Sequence, residues 1–283
     1  MTGWCLTRLR GCSSSTSERW RLLMWFDILT IFPEFFVSPL NEGMVRRALS
    51  AEQIRVAVHN IRDHAHDRHR MTDDRPFGGG EGMVMKPEPL AACLKAACSD
   101  GPRPRVILLS PRGDRLDQAT AARLAGEERL ALVCGRYEGV DERFRSHYVD
   151  EELSIGDYVL TGGELAALVV LDAVTRLLPG VLGCEDSAAC DTFSRGLLKH
   201  GQYTRPRVFE GEPVPEVLLS GDHAAIATHR FLESVRVTLA RRPELLVGAR
   251  FTPAETKILG RAGLRQQIEA IGRENGNGEH LAG

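Results

Sequence analysis

Three short stretches of this chain combine glycine with acid where apolar runs end. They are LSPRGD from Leu109 to Asp114, GRYEGVDER from Gly135 to Arg143, and SIGDYVLTGGE from Ser154 to Glu164. Glycine lets a backbone approach a flat or crowded ligand closely. The apolar helix expected after Gly162 and Gly163 starts on Glu164, and Glu138, Asp141, Glu142 and Asp157 crowd the same loops. Amides at a helix N-terminus attract anions, but carboxylates placed there repel a di- or triphosphate. The lysine and hydroxyl of a phosphate loop are also missing after the double glycine. A cationic ligand with a flat ring fits these loops better. S-adenosylmethionine, which carries adenine, an ammonium and a sulfonium, meets that description.

A second cluster, RDHAHDRHRMTDDRPFGGGEGM, runs from Arg62 to Met83. His64, His66 and His69, with Asp63, Asp67, Asp73 and Asp74, are metal-ligating types. Their order resembles the His-x-His-x-Asp-His signature of metallo-β-lactamase-like hydrolases, but the aspartate stands one place early and no later histidine sits in a comparable context. Arg62, Arg68, Arg70 and Arg75 interleave with the acids. A nearly neutral, hydrogen-bonded loop is expected rather than a cage, and no residue is assigned to a metal. Gly78, Gly79, Gly80 and Gly82 suit a lid or substrate clamp.

Such loops need a scaffold. The runs FDILTIF, IRVAVHN, RVILLS, LALVCG and DYVLTG are rich in branched residues and alternate with helical stretches such as PLAACLKAACS and ATAARLAGEERL. That alternation predicts an α/β fold, a mostly parallel sheet with helices on both faces. Ligands bind such sheets outside the carboxyl ends of the strands, where the three glycine loops would lie together. After VTRLLPGVLG the stretch CEDSAACDTFSRG is small, polar and aperiodic, as a linker or mobile loop is. Past Pro206, Pro213 and Pro215, Asp222 can cap a helix through about Arg241, with Leu232, Val235 and Leu239 on one face. This marks a second, smaller helical domain.

At 283 residues, 43% hydrophobic and 26% charged, the chain has the composition of an ordinary soluble protein of two domains, and no apolar run is long enough to span a bilayer. The cysteines number seven, several within apolar patterns, which fits a reducing cytoplasm. A formal charge of -2 gives no global basic field to attract nucleic acid. Of 36 basic residues only Lys86, Lys95, Lys199 and Lys257 are lysine. Arginine suits bidentate phosphate and base contacts, so the bias permits RNA binding without arguing for it. Residues 1–23 have a transit-peptide flavour, yet the strand opening at Met24 favours a start placed too early, and they are set outside the fold. RENGNGEHLAG at the other end has too little apolar content to fold.

In the same order and with similar spacing, FDILTIFPEFF, HDRHRMTDDRPFGGGEGMVM, LSPRGDRLDQ, LVCGRYEGVDERF, SIGDYVLTGGELAA, TRLLPGVLG, DTFSRGLLKHGQYTRP, VPEVLLSGDHAAI and RRPELL resemble the bacterial tRNA (guanine-N1)-methyltransferases of the TrmD type. The match covers nearly everything from Met24 to about Leu246. The resemblance implies a SPOUT-type α/β domain with a deep trefoil knot over residues 24–182, a linker at 183–190, a C-terminal tRNA-binding domain over 191–272 and a disordered tail at 273–283. It implies a cytoplasmic homodimer that transfers a methyl group from S-adenosylmethionine to N1 of the guanosine just 3′ of the tRNA anticodon, supporting reading-frame maintenance. Leu109, Ser110, Pro111, Gly135, Tyr137, Glu138, Ser154, Ile155, Gly156, Tyr158, Leu160, Gly162 and Gly163 match the positions that wrap the cofactor, with Glu138 toward its charged methionine end. Ala166 stands where some members have proline. Asp191 matches the family's proposed base, contributed by the partner chain, and Arg176 the residue proposed to steady the ring oxygen. Closing the linker over the site would desolvate Asp191 and raise its basicity. His69 and Asp73 match positions near the flipped guanine. Arg205, Arg207, Arg230, Arg236, Arg241 and Arg242 are candidates for phosphate contacts, and an assisting Mg2+ ion stays open.

Overall fold

The computed structural model describes residues 23–182, 191–193 and 195–276. Strand β1 (Met24–Thr30) leads through two short helices, α1 (Val37–Leu40) and α2 (Gly43–Ser50), to β2 (Ile54–Asn60). A two-residue antiparallel ladder, β3 (Asp73–Asp74) on β4 (Val84–Met85), closes the histidine-rich segment. Then come α3 (Pro87–Ala97), β5 (Arg105–Arg115), α4 (Gln118–Leu124), β6 (Arg129–Cys134), α5 (Glu142–Tyr148), β7 (Glu151–Ser154) and α6 (Glu164–Thr175). A small hairpin, β8 (Val208–Phe209) with β9 (Glu212–Pro213), precedes α7 (His223–Arg241), α8 (Pro253–Arg261) and α9 (Arg265–Gly276). No helix among the described residues is long and apolar enough to cross a membrane.

Five strands form one sheet in the order β2-β1-β6-β5-β7, every neighbouring pair parallel. Successive strand side chains point to opposite faces, and both faces here are apolar. Met24, Phe26, Ile28, Ile107, Leu109, Leu130, Leu132 and Cys134 face one side, where Val45 and Ala48 of α2, Leu124 of α4 and Val170, Leu171 and Val174 of α6 cover them. Leu29, Val106, Leu108, Ala131 and Val133 face the other, against Leu90, Cys93 and Leu94 of α3 and Phe144 of α5. Each large side chain fully buried in this way contributes about 1.5–3 kcal/mol. The result is the expected three-layer α/β arrangement.

At one end of the core a charged group is enclosed. Arg129, 4% exposed, donates to Asp27 at 2.6 Å and to the carbonyls of Ala97 and Asp100, while His59 Nε2 lies 2.8 Å from the other Asp27 oxygen. Burial alone would raise the Asp27 pKa, but the hydrogen bonds from His59 and Arg129 hold it below the usual aspartate range.

Two features differ from the expectation or exceed it. The strand assigned to DYVLTG lies earlier, at Glu151–Ser154, and Asp157–Thr161 is open loop. Tyr158 and Val159, 55% and 85% exposed, line a cavity instead of facing a core, so their apolar character did not signal a strand. The second feature is the course of β5. Leu153 of β7 registers with Leu109 and again with Asp114, so the β5–β7 ladder is interrupted over residues 110–113. Gly113 permits it, because a Cβ there would sit 2.3 Å from the Glu152 carbonyl carbon. Leu116 N then donates to Ser154 O at 2.8 Å, carrying the pairing past the interruption.

Toward the C-terminus, α7 starts where Asp222 accepts from the amides of Ala224 and Ala225. Val235 is buried in a separate apolar cluster with Leu197, Leu246, Leu259 and Leu264, and Leu232 and Leu239 pack against it. Thr252 and Glu255 form a reciprocal capping box at the start of α8.

Candidate active site

The three glycine loops converge on one cavity of about 310 Å3 at the carboxyl ends of β5, β6 and β7. Leu109, Ser110 and Pro111 line it from the first loop, Gly135, Tyr137 and Glu138 from the second, and Ser154, Ile155, Gly156, Tyr158, Leu160, Gly162 and Gly163 from the third. Local bonds fix these walls. Gly163 N donates to Gly135 O at 2.9 Å, and a Cβ on Gly163 would meet the Cys134 Cα at 2.7 Å, so α6 begins in direct backbone contact with the end of β6. Ser154 Oγ donates to Gly156 O and accepts from Gly156 N, folding the third loop back on itself.

The acids of these loops are mostly neutralised within the protein. Glu164, 1% exposed, accepts from Thr30 Oγ1 at 2.8 Å and from Arg136 Nε at 3.0 Å. Arg136 lies across Gly162, where a Cβ would be 2.1 Å from its Nε, and its guanidinium stacks 4.5 Å above the Phe32 ring. Asp141 is held by Arg143, and Arg145 engages both Glu142 and Glu152. The crowd of carboxylates expected from the sequence thus reduces, among the described wall residues, to Glu138, which no ion pair engages. Arg112 lines the same cavity, likewise without an ion pair. The sequence reading missed Arg112, Arg136, Arg145 and Glu152 as wall residues. Arg136 stood inside a quoted motif, but nothing in the chain signals that its partner lies 28 positions on.

The other predicted residues lie elsewhere. Arg176 caps the C-terminus of α6 and donates to Asp191 at 2.5 Å, while Lys199 Nζ donates to the other Asp191 oxygen at 2.9 Å. The Lys199 hydrogen bond, opposed by burial and reinforced by the charges of Lys199 and Arg176, holds the Asp191 carboxyl below the usual aspartate range. Arg176 and Asp191 are therefore brought together, but outside the cavity lining. From Ala166, on the cavity wall, to Arg176 the helix axis rises about 15 Å. The 183–190 linker lies outside the described residues.

His69, in a loop, and Asp73, in β3, belong to a segment bonded to the cavity rim. Asp67 accepts from the amides of His69 and Met71, and Arg70 reaches Asp63 at 3.4 Å. Met83 O accepts from Glu138 N at 3.0 Å, Met85 N donates to Gly139 O and Asp141 N to Met85 O. Neither His69 nor Asp73 lines the cavity. Among the described residues no group of three or more histidines, cysteines or acids is arranged to hold a metal ion.

A doubly covered parallel sheet with its ligand cavity at the strand ends defines an α/β enzyme architecture. Within that class, residues 24–248 match the family model described as tRNA (Guanine-1)-methyltransferase TrmD. The chain belongs to that family. It is 54% identical over 236 residues to the tRNA (guanine-N(1)-)-methyltransferase of Geobacter sulfurreducens, covering 83% of this chain and 96% of the relative. The protein of the same name from Geotalea uraniireducens is 55% identical over 236 residues, with the same coverage, and that of Dehalococcoides mccartyi 52% over 237 residues, again covering 83% and 96%.

Proposed function

We propose that this chain methylates N1 of the guanosine just 3′ of the tRNA anticodon, with S-adenosylmethionine as donor and two copies of the chain forming each site. Family membership supports the reaction, and the cavity at the strand ends is the single observation that carries the cofactor assignment. Leu109, Pro111, Ile155 and Leu160 give it apolar surface for a flat ring. The wall charges outside any ion pair among the described residues, Glu138 and Arg112, are opposite in sign, as a zwitterionic amino-acid end requires. Glu164, buried and paired in the first turn of α6, leaves no seat for a phosphate there. When bound, the cofactor supplies an electrophilic methyl group.

Guanine N1 carries a proton at neutral pH and is a poor nucleophile until that proton leaves. Asp191 Oδ receives it, and the Arg176 guanidinium donates to the guanine carbonyl oxygen O6, on which negative charge gathers. As the single chain stands, Asp191 is a weak base, because Lys199 and Arg176 stabilise its charged form. Docking of the guanine must draw Arg176 from the carboxylate to the guanine O6, and that exchange raises the Asp191 pKa toward what proton transfer needs.

The distance along α6 supports a shared site. Leu165, Val169, Asp172 and Arg176 lie on one exposed face of this helix, with Leu165 and Val169 50% and 44% exposed. The α6 helix packs beside the segment holding Phe35, itself 40% exposed, which extends the apolar surface. Antiparallel pairing of two such faces about a two-fold axis brings the Arg176 end of one chain to the cavity end of the other. We further read the interruption of the β5–β7 ladder at residues 110–113 as part of a trefoil knot, residues 24–182 as the cofactor domain and 191–272 as the tRNA-binding domain, with His69 and Asp73 beside the flipped base. Mg2+ is assigned no ligands.

The test is Asp191→Asn. It should bind S-adenosylmethionine by calorimetry as the parent does and fail to methylate a tRNA transcript with guanosine 3′ of the anticodon. Full transfer by the variant would remove Asp191 from the mechanism, and equal transfer to a transcript lacking that guanosine would remove the substrate assignment.

A further inference from the structure

Lys199, whose ammonium holds Asp191, is itself held through the backbone on two sides. Its own amide donates to Thr192 Oγ1 at 3.2 Å, and the preceding amide, of Leu198, donates to Thr238 Oγ1 at 2.9 Å. Two successive peptide groups thus end on two threonine hydroxyls. One belongs to the chain neighbour of Asp191, the other to α7. Between Thr192 and Lys199 the chain closes on itself: Phe193 N donates to Leu197 O at 3.0 Å, and Gly196 N to Phe193 O at 3.1 Å. Leu197, 8% exposed, seats this loop in the apolar cluster of Val235, Leu246, Leu259 and Leu264.

Thr238 has no exposed surface and stands one helical turn beyond Val235. A hydroxyl buried there costs free energy unless it is hydrogen-bonded, whereas valine has nearly the same shape without that cost. Thr238 Oγ1 donates its single proton to Ser234 O at 2.6 Å, which leaves its lone pairs to accept from Leu198 N. The hydroxyl therefore ties α7 to the loop that carries Asp191. We infer that Thr238 and Thr192 are positioning residues for methyl transfer, fixing the Lys199 backbone so that its ammonium sets where the Asp191 carboxylate meets guanine N1. The inference rests on the reaction proposed above and deepens it. In that reaction Arg176 leaves Asp191 for the guanine O6, while Lys199 stays 2.9 Å from the other carboxylate oxygen. A lysine stem is flexible, so its ammonium defines a position only when the backbone beneath it is fixed. Misplacing a reacting group by about 1 Å can slow a reaction about a hundredfold.

The experiment uses the full chain and compares Thr238→Val, Thr238→Ser and Thr192→Val with Leu259→Val, which trims the same cluster without touching these hydrogen bonds. Thermal melting reports folding, methyl transfer to a tRNA transcript gives kcat and KM, and carbon-13 NMR follows the Asp191 carboxyl. Thr238→Val should lower kcat about tenfold and Thr192→Val about threefold, with the KM for both substrates at parental values. Thr238→Ser, which keeps the hydroxyl, should restore kcat to within about twofold of the parent. In Thr238→Val the Asp191 midpoint should rise, because Lys199 no longer stands steadily against the carboxylate. Leu259→Val should lower the melting temperature and leave kcat and the midpoint in place. Parental kcat in both valine variants would overturn the inference. So would a Thr238→Ser protein as slow as Thr238→Val, or a loss of kcat in Leu259→Val as large as theirs. Should Thr238→Val not fold, Thr192→Val decides, since its hydrogen bond lies near the surface and parental kcat there refutes the positioning role. If the unaltered protein binds S-adenosylmethionine but methylates no tRNA, the reaction reading fails, and an Asp191 midpoint unmoved in Thr238→Val overturns the positioning role separately.

Discussion

Glu138 and Lys199 govern the two charges that matter most for the proposed reaction. Glu138 stands on the cavity wall without an ion pair while the surrounding acids are matched by arginines. Glu138→Gln keeps its shape and removes its charge, and should weaken S-adenosylmethionine binding about tenfold by calorimetry with little change in melting temperature. An unchanged affinity would move recognition of the ammonium elsewhere. Lys199 is the main cause of the low Asp191 pKa. In Lys199→Ala the Asp191 carboxyl should titrate at higher pH than in the parent, approaching the ordinary aspartate value of 3.8, by carbon-13 NMR. The sign follows from which state is favoured: removing a cation destabilises the carboxylate, so the proton is held to higher pH. A midpoint that stays in place would leave Arg176 as the controlling cation.

Two adjacent glycines differ in what they tolerate, and the difference belongs to the elements they join. At Gly162 an added methyl meets the Arg136 side chain, whereas at Gly163 it meets the Cα of Cys134 and the Gly135 amide. A side chain can swing away and a strand end cannot. Gly163→Ala should cost about 1–3 kcal/mol in urea unfolding and Gly162→Ala less; equal costs would mean that the Arg136–Glu164 pair is as rigid as backbone. At the other end of the sheet, Asp27→Ala leaves Arg129 buried without its counter-charge and should destabilise by about 3–5 kcal/mol. Because the folded Asp27 pKa is depressed, its contribution is present above the unfolded value near 3.8 and fades as pH falls through the lower folded value. The parental advantage over the variant should therefore shrink in acid. These elements were largely legible in the sequence. Alternating branched residues located β1, β2, β5 and β6, and Asp222 marked the start of α7. Short β7 was not legible, since EELS offers one apolar residue while neighbouring DYVLTG offers three that serve the cavity wall. The pairing of Asp27 with Arg129, 102 positions apart, was equally hidden, because local pattern carries no information about partners so distant.

At the scale of the whole molecule, the cavity and the Arg176–Asp191 pair occupy opposite ends of α6. Replacing Leu165 and Val169 by glutamate should give single chains in solution that still bind S-adenosylmethionine and no longer transfer methyl groups. Mixing Asp191→Asn with Glu138→Gln protein and allowing subunit exchange should, at S-adenosylmethionine concentrations that saturate the parent but not Glu138→Gln, give more activity than the sum of the two kept apart, because one composite site then holds both unaltered residues; a mixture no more active than its parts would place the site within one chain. The same stripe on α6 couples work to encounter. On the proposed shared site a solitary chain has its acceptor at the wrong end of a helix, so the output of a dilute pool should grow with the square of chain number until pairing saturates. Enzyme diluted below that threshold should lose turnover per chain, and halving the supply there should cost more than half the methylation rate.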